Sequence, residues 1–111
     1  MRWLVTLVGF GLASPAIAAP TYLECNFPEK PEHPINVTAD EAAGTATVYV
    51  PSTGHTERFQ ATFLPEKLIF LGKLLDYEIS RTDLSIRRTI RMINSSDIGT
   101  CKVTTAPDRA F

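Results

Sequence analysis

The sequence predicts an all-β protein: a small antiparallel up-and-down barrel or strongly curled sheet of seven or eight short strands, with a two-sheet sandwich as the alternative. Stretches of roughly four to nine residues alternate between apolar and polar side chains, which is typical of antiparallel strands with one wet face. Turn-forming residues separate these stretches at short intervals, and no connection is long enough for a βαβ crossover. Because closure removes exposed sheet edges, the barrel is the preferred form.

The individual strands follow from this alternation. They are predicted at residues 21–27, 35–38, 45–50, 55–63, 68–71, 74–80, 84–93 and 98–104. In the third of them, Ala46, Val48 and Val50 share one face, as core-facing positions of a strand do. Three prolines make residues 28–34 a loop, and residues 39–44 are the one segment that suits a helical turn.

The hairpin around residues 81–83 has a predictable register. Its apolar positions are odd-numbered in the first arm and even-numbered in the second, so the numbers of two opposed residues must add to an odd value. A two-residue loop, Thr82-Asp83, and a four-residue loop, 81–84, both make the numbers of each opposed pair add to 165. The longer loop is preferred because Thr-Asp suits a type I′ turn poorly. The opposed pairs are then Leu75–Ile90, Tyr77–Arg88, Glu78–Arg87 and Ile79–Ile86. We expect Glu78 and Arg87 to form an exposed ion pair, and the Arg88 guanidinium to stack on the Tyr77 ring.

Residues 1–18 have the pattern of a signal peptide. Arg2 supplies a positive start, residues 3–13 carry no charge, and Ala16-Ile17-Ala18 presents the small residues that signal peptidase accepts. The apolar run is shorter than the ~20 residues that a membrane-spanning helix needs, and no later segment could span a bilayer. Cleavage after Ala18 would leave a single small β domain, residues 19–111, with a loose C-terminal tail. We therefore expect a periplasmic or secreted protein, and the short signal peptide favours a bacterial source.

The two cysteines are predicted to form a disulfide. Cys25 lies in the first strand and Cys101 in the last, and a closed meander places its terminal strands side by side. A pair of cysteines in a small secreted chain is typical of a structural disulfide. Their spacing is unlike the Cys-x-x-Cys motif of oxidoreductases, so we expect a covalent staple rather than a redox centre.

The sequence contains no recognisable catalytic constellation, and we expect no cofactor. His55 and Glu57 share one face of a strand and are the best metal-ligand candidates, but a zinc site needs three or four ligands and His33 is the one other histidine. A small hydrolase or metal-binding protein that uses His55 and Glu57 is therefore the alternative function. A net charge of −1 lacks the basic excess of nucleic-acid binders, so no nucleic-acid partner is expected.

An arginine-rich segment is the most pronounced charge feature of the chain. Its members are Arg81, Arg87, Arg88 and Arg91. Arginine is enriched at interface hot spots, so these residues are a candidate interaction patch for an unidentified protein or a small anionic ligand. In the alternative interpretation, Arg87 and Arg91 pair with carboxylates on a neighbouring strand, and Arg88 lies at a barrel end with its head in water. The predicted function is that of a secreted or periplasmic, non-enzymatic binding or interaction protein.

The arrangement is similar in outline to the periplasmic inhibitors of C-type lysozyme, which are small antiparallel barrels. The outline consists of a signal peptide, an early cysteine in Tyr22-Leu23-Glu24-Cys25 and a late one in Gly99-Thr100-Cys101-Lys102. Those inhibitors present a Ser-Gly-x-x-Tyr loop to the enzyme, and the nearest segment here, Ser52-Thr53-Gly54-His55, departs from that pattern. The resemblance therefore covers architecture, and it assigns no inhibitory residue.

Overall fold

The computed structural model describes residues 19–105, which fold into eight β-strands. In chain order these are β1 (Thr21–Asn26), β2 (Ile35–Asp40), β3 (Thr45–Val50), β4 (His55–Phe63), β5 (Lys67–Leu71), β6 (Leu75–Ser80), β7 (Ser85–Ile90) and β8 (Ser95–Thr104). The predicted signal peptide, residues 1–18, and the predicted loose tail at residues 106–111 lie outside the described residues. No helix in the described part of the chain is long and apolar enough to cross a membrane.

The eight strands close into a barrel in chain order, and each strand is antiparallel to its neighbours. Because β8 completes the barrel by pairing with β1, the predicted barrel is confirmed and the sandwich alternative is wrong. Turns at 41–44, 64–66 and 81–84, together with the start of β1 and the end of β8, surround one mouth of the barrel, called here the terminal end. Segments 27–34, 51–54, 72–74 and 91–94 surround the other mouth, called here the loop end.

Inward-facing apolar side chains fill most of the barrel interior. The buried ones are Leu23, Cys25, Phe27, Ile35, Val37, Ala39, Ala46, Val48, Phe59, Leu68, Phe70, Tyr77, Ile79 and Ile86. Three aromatic rings form the centre: Phe70 stacks on Tyr77 with centroids 4.8 Å apart, and the Phe59 centroid lies 5.2 Å from Phe70. Burial of each large apolar side chain contributes about 1.5–3 kcal/mol, so the apolar alternation of the strands stabilises the closed form.

The seam between β1 and β8 is closed covalently. Cys25 and Cys101 are directly opposed and form a disulfide, with their Cα atoms 3.9 Å apart, which confirms the predicted staple. Gly99 lies two residues earlier on β8, where a Cβ atom would collide with the backbone oxygen of Asn26 and lie 2.9 Å from the Phe27 ring. The missing side chain at Gly99 therefore lets the end of β1 pack closely against β8.

The β6–β7 hairpin has the predicted register and the predicted four-residue loop. The opposed pairs are Leu75–Ile90, Asp76–Thr89, Tyr77–Arg88, Glu78–Arg87 and Ile79–Ile86. Leu84 ends the loop in the left-handed region, with φ at +60°, and its N–H donates to the Ser80 carbonyl at 3.1 Å. The Asp83 carboxylate accepts hydrogen bonds from the N–H and the hydroxyl of Ser85, which lower the Asp83 pKa and fix the start of β7.

One predicted contact of this hairpin is wrong. Glu78 opposes Arg87 as expected, but its carboxylate bonds the Lys67 ammonium of β5 at 2.9 Å. Long side chains reach diagonally across a sheet, so Lys67 competes for the carboxylate from the other side of β6. Arg87 consequently has no ion-pair partner among residues 19–105.

Two predicted segments also differ from the structure. Residues 39–44 do not form a helical turn, because β2 continues to Asp40 and a hairpin turn ends at Gly44, with φ at +69°. The seventh strand ends at Ile90 instead of residue 93, residues 91–94 form the turn, and β8 begins at Ser95. Asn94 ends this turn at φ +51°, a conformation that asparagine tolerates better than most residues.

Candidate binding site at the loop end

Side-chain bonds brace the segments around the loop end. Lys30, in segment 27–34, bonds the Asp97 carboxylate of β8 at 3.1 Å. His33, in the same segment, has its Nδ1 atom 3.0 Å from the Ser52 hydroxyl in segment 51–54. The longest connection of the barrel is therefore tied to two other elements, and the rim of this mouth has a defined shape.

Arg91 joins the other two segments of this mouth. Its guanidinium bonds the Asp76 carboxylate at 2.6 Å and the Gly72 carbonyl at 2.8 Å, and it also donates to the Lys73 carbonyl. The backbone N–H of Arg91 donates to the Leu74 carbonyl at 3.2 Å. Because one side chain satisfies a carboxylate and two carbonyls, it holds turn 91–94 beside turn 72–74.

These two neighbouring turns carry exposed apolar side chains, which we call the apolar tip: Leu74, Met92 and Ile93. Their exposed fractions are 61%, 79% and 65%. Single exposed apolar residues are common on protein surfaces, but a group of them on adjacent turns is typical of an interaction site. The apolar tip is therefore a candidate contact surface for a partner.

A recess of about 400 Å³ lies beside the apolar tip. Phe59, Leu75 and Ile90 line it together with Glu57 and turn 72–74, which includes Leu74 of the tip. The recess is mostly apolar, and its lining includes one acidic residue, Glu57, and one basic residue, Lys73. An apolar side chain of a partner could enter it while the partner packs against the tip.

A charged cluster closes the inner side of the same mouth. Arg88 points into the barrel, bonds Asp97 at 2.9 Å and places its guanidinium carbon 4.1 Å from the Phe27 ring centroid. The Arg88 and Asp97 side chains are 13% and 11% exposed, so the prediction of an Arg88 head in water is wrong. The hydrogen bonds from Arg88 first, and from Lys30 second, lower the pKa of Asp97.

The predicted stacking of Arg88 on Tyr77 is also wrong. The Tyr77 ring is engaged by Phe70 and Phe59 in the core, whereas Phe27 offers a ring face at the mouth. Asp97 opposes Arg88 in the β7–β8 register and turns the guanidinium toward that face. Burial raises the pKa of the Tyr77 phenol, nearby Arg88 opposes this shift, and Glu57 adds to it.

The four predicted patch arginines occupy different positions. Arg81 lies at the terminal end, Arg87 on the outer face of β7, Arg88 inside the barrel and Arg91 in a loop-end turn. The pairing of Arg91 with Asp76 agrees with the alternative interpretation of a carboxylate partner on a neighbouring strand. The cluster as one interaction patch stays a prediction.

His55 and Glu57, the predicted metal-ligand candidates, lie close together on β4. The His55 Nε2 atom is 3.6 Å from the Glu57 carboxylate, and both side chains are about half exposed or more. Among residues 19–105, no group of three or more histidine, cysteine or acidic residues could hold a metal ion. The pair alone supplies fewer ligands than a zinc site requires.

Sequence reasoning missed the apolar tip. The sequence predicts a strand that includes Met92 and Ile93, although two adjacent apolar residues at its end break the alternation that defines the strand. That break was the available signal for a turn. The contact between His33 and Ser52 had no local signal, because 19 residues separate its members.

No protein-family model, curated protein or solved structure matches this chain.

Proposed function

We propose that this protein is a periplasmic or secreted, non-enzymatic binding protein that docks a partner protein at the loop end of its barrel. The observation that carries the proposal is the apolar tip of Leu74, Met92 and Ile93 on two turns joined by Arg91. The Cys25–Cys101 disulfide is compatible with an oxidising compartment outside the cytoplasm, and the predicted signal peptide supports the same location.

The bracing of the turns favours tight docking. A loop that is already ordered loses little conformational entropy when a partner binds. Arg91 bonds Asp76 and the backbone of turn 72–74, so the tip is ordered before binding. Met92 has a flexible, polarisable side chain that adapts to an uneven surface. The recess beside the tip adds a pocket of the kind in which an anchoring side chain contributes most of the binding energy.

The proposal is tested with the secreted protein recovered from the periplasm. Its intact mass checks the expected cleavage after Ala18. Affinity-tagged protein then captures partners from the same extract, and a captured protein is purified so that its affinity can be measured directly. The tip variant is Met92→Ser combined with Ile93→Ser. The matched control is Ile98→Ser, at an apolar residue outside the apolar tip that is 56% exposed.

We expect the tip variant to lose at least about tenfold in affinity, because truncation of hot-spot residues costs more than about 1 kcal/mol each. The Ile98→Ser control should bind within about twofold of the natural protein. Equal melting temperatures of the two variants would show that both are folded. Binding that survives in the tip variant and disappears in the control would contradict the proposed docking surface.

A further inference from the structure

The terminal end of the barrel contains a second, separate feature: a cavity of about 220 Å³ under turn 81–84. Core side chains form its floor, among them Leu23, Leu68 and Ile79, each at most 5% exposed. Phe63 and Leu84 line it nearer the mouth. Among residues 19–105, the barrel interior is therefore filled by aromatic rings at its centre but not at this end.

The backbone at the mouth is held in an uncommon conformation. Leu84 has a φ of +60°, a left-handed conformation that is rare for a large side chain. Its N–H donates to the Ser80 carbonyl at 3.1 Å, and its carbonyl accepts from the Cys101 N–H at 2.8 Å. Both backbone groups are thus fixed, and the side chain is held at the edge of the cavity. Strained positions of this kind are concentrated at functional sites.

The rim of the cavity is polar and carries a positive group. The Arg81 guanidinium donates to the Leu64 carbonyl at 2.9 Å and to the Glu41 carboxylate at 3.3 Å. A guanidinium has five N–H donors, so Arg81 retains donors beyond these two bonds. Ala19 also lines the cavity, and the proposed cleavage after Ala18 would place its α-ammonium group at the same mouth. Two positive groups would then face one carboxylate, which favours an anion at the rim.

We propose that this cavity binds a small amphiphilic carboxylate, with its apolar body inside the barrel end and its carboxylate at Arg81. An apolar cavity of about 150 Å³ stays dry and accepts benzene, so this larger one suits an apolar body on the order of six to ten carbon atoms. A carboxylate forms charge-assisted hydrogen bonds with a guanidinium, which fixes its orientation. The site is independent of the apolar tip, because it lies at the opposite mouth of the barrel.

The test uses the secreted protein, isotopically labelled, and octanoate as the probe. Titration followed by amide NMR should give saturable shifts at Ile79, Leu84 and Val103, which line the cavity. 1-Octanol, which has the same chain without a charge, should bind more weakly. A parallel titration with phospholipid vesicles tests whether the apolar chain in the cavity belongs to a membrane lipid instead of a free carboxylate. Stronger binding to vesicles than to octanoate would overturn the proposal of a small ligand.

Three variants and one control make the test specific. Arg81→Gln should weaken octanoate binding roughly tenfold and leave 1-octanol binding nearly unchanged, because only the carboxylate uses the charge. Ala39→Leu adds volume inside the cavity and should abolish binding of both probes. Val103→Trp narrows the mouth of the cavity from an exposed position, so it should also prevent binding of both probes without altering the core. Arg87→Gln, on the outer face, is the matched control and should change neither affinity.

The proposal is wrong if octanoate gives no saturable shifts below about 1 mM. It is also wrong if the shifts persist in both Ala39→Leu and Val103→Trp, since binding would then occur elsewhere. An equal loss for octanoate in Arg81→Gln and Arg87→Gln would indicate a general charge effect and would likewise overturn it.

Discussion

Replacement of Arg88 by methionine tests the charged cluster inside the loop end. The substitution keeps the apolar length of the side chain and removes the hydrogen bond to Asp97 and the contact with the Phe27 ring. A hydrogen bond between charged groups contributes about 1.5–3 kcal/mol, and a partly desolvated cation–π contact about 0.5–2 kcal/mol. Lys30 remains 3.1 Å from Asp97 and limits the cost of the uncompensated charge. We therefore expect Arg88→Met to lower the free energy of unfolding by about 2–4 kcal/mol.

Urea denaturation measures this loss, provided that the slope of the free energy against denaturant is unchanged. Arg87→Met is the matched control, because Arg87 is the adjacent residue on the outer face of β7 and has no ion-pair partner among the residues described. Its effect should stay within about 0.5 kcal/mol.

A double-mutant cycle with Asp97→Asn isolates the pair from the rest of the cluster. The coupling between Arg88 and Asp97 should exceed about 1 kcal/mol, since they are in direct contact. A loss at Arg88 no larger than that at Arg87, or a coupling near zero, would refute this account of the cluster.

Three further predictions concern stability. Replacement of both Cys25 and Cys101 by alanine should cost about 4–5 kcal/mol in thermal or urea unfolding, because the disulfide constrains a loop of sequence separation 76; an unchanged melting temperature would contradict it. Gly99→Ala should cost about 1–3 kcal/mol, since its Cβ atom meets the Asn26 carbonyl, and a melting temperature equal to that of the natural protein would show that β1 can move aside. The folded-state pKa of Asp97 lies below its unfolded value of about 3.9. The ion pairs of Asp97 therefore stabilise the fold fully above about pH 3.9, and this stabilisation is lost as the pH falls through the folded-state pKa. Denaturation at several pH values should show a weaker acid dependence in Asp97→Asn than in the natural protein.

The register of the β6–β7 hairpin was predictable because it depends on local rules. Odd and even apolar positions in the two arms restrict the pairing, and turn chemistry selects the loop length. Both rules use residues close together in the chain, and the structure has the predicted pairs. The disulfide was predictable for a different reason: a meander that closes brings its first and last strands together.

The contacts of Arg88 were not predictable in the same way. The hairpin register placed Arg88 opposite Tyr77. Its actual partners lie outside the hairpin: Phe27 is in the segment between β1 and β2, and Asp97 is in β8, so rules for the β6–β7 hairpin do not describe them. The polar residues 95–97 resembled a turn, because the apolar pattern does not mark an inward-facing aspartate. Because the strand was predicted to run to residue 93 and the turn to follow it, the turn at 91–94 that carries Met92 and Ile93 was not predicted.

Seven of the eight strand pairs join consecutive strands, and the β1–β8 seam is the exception. Cys25 and Cys101 are directly opposed in this last, long-range pairing, so their disulfide locks the seam once the barrel has closed. Until then, β1 and β8 are free edges whose unpaired backbone groups can add a strand from another chain. The disulfide thus opposes aggregation as well as unfolding. In a reducing compartment the bond would be lost, and any chain whose β1–β8 pairing opened would expose the edges of both strands.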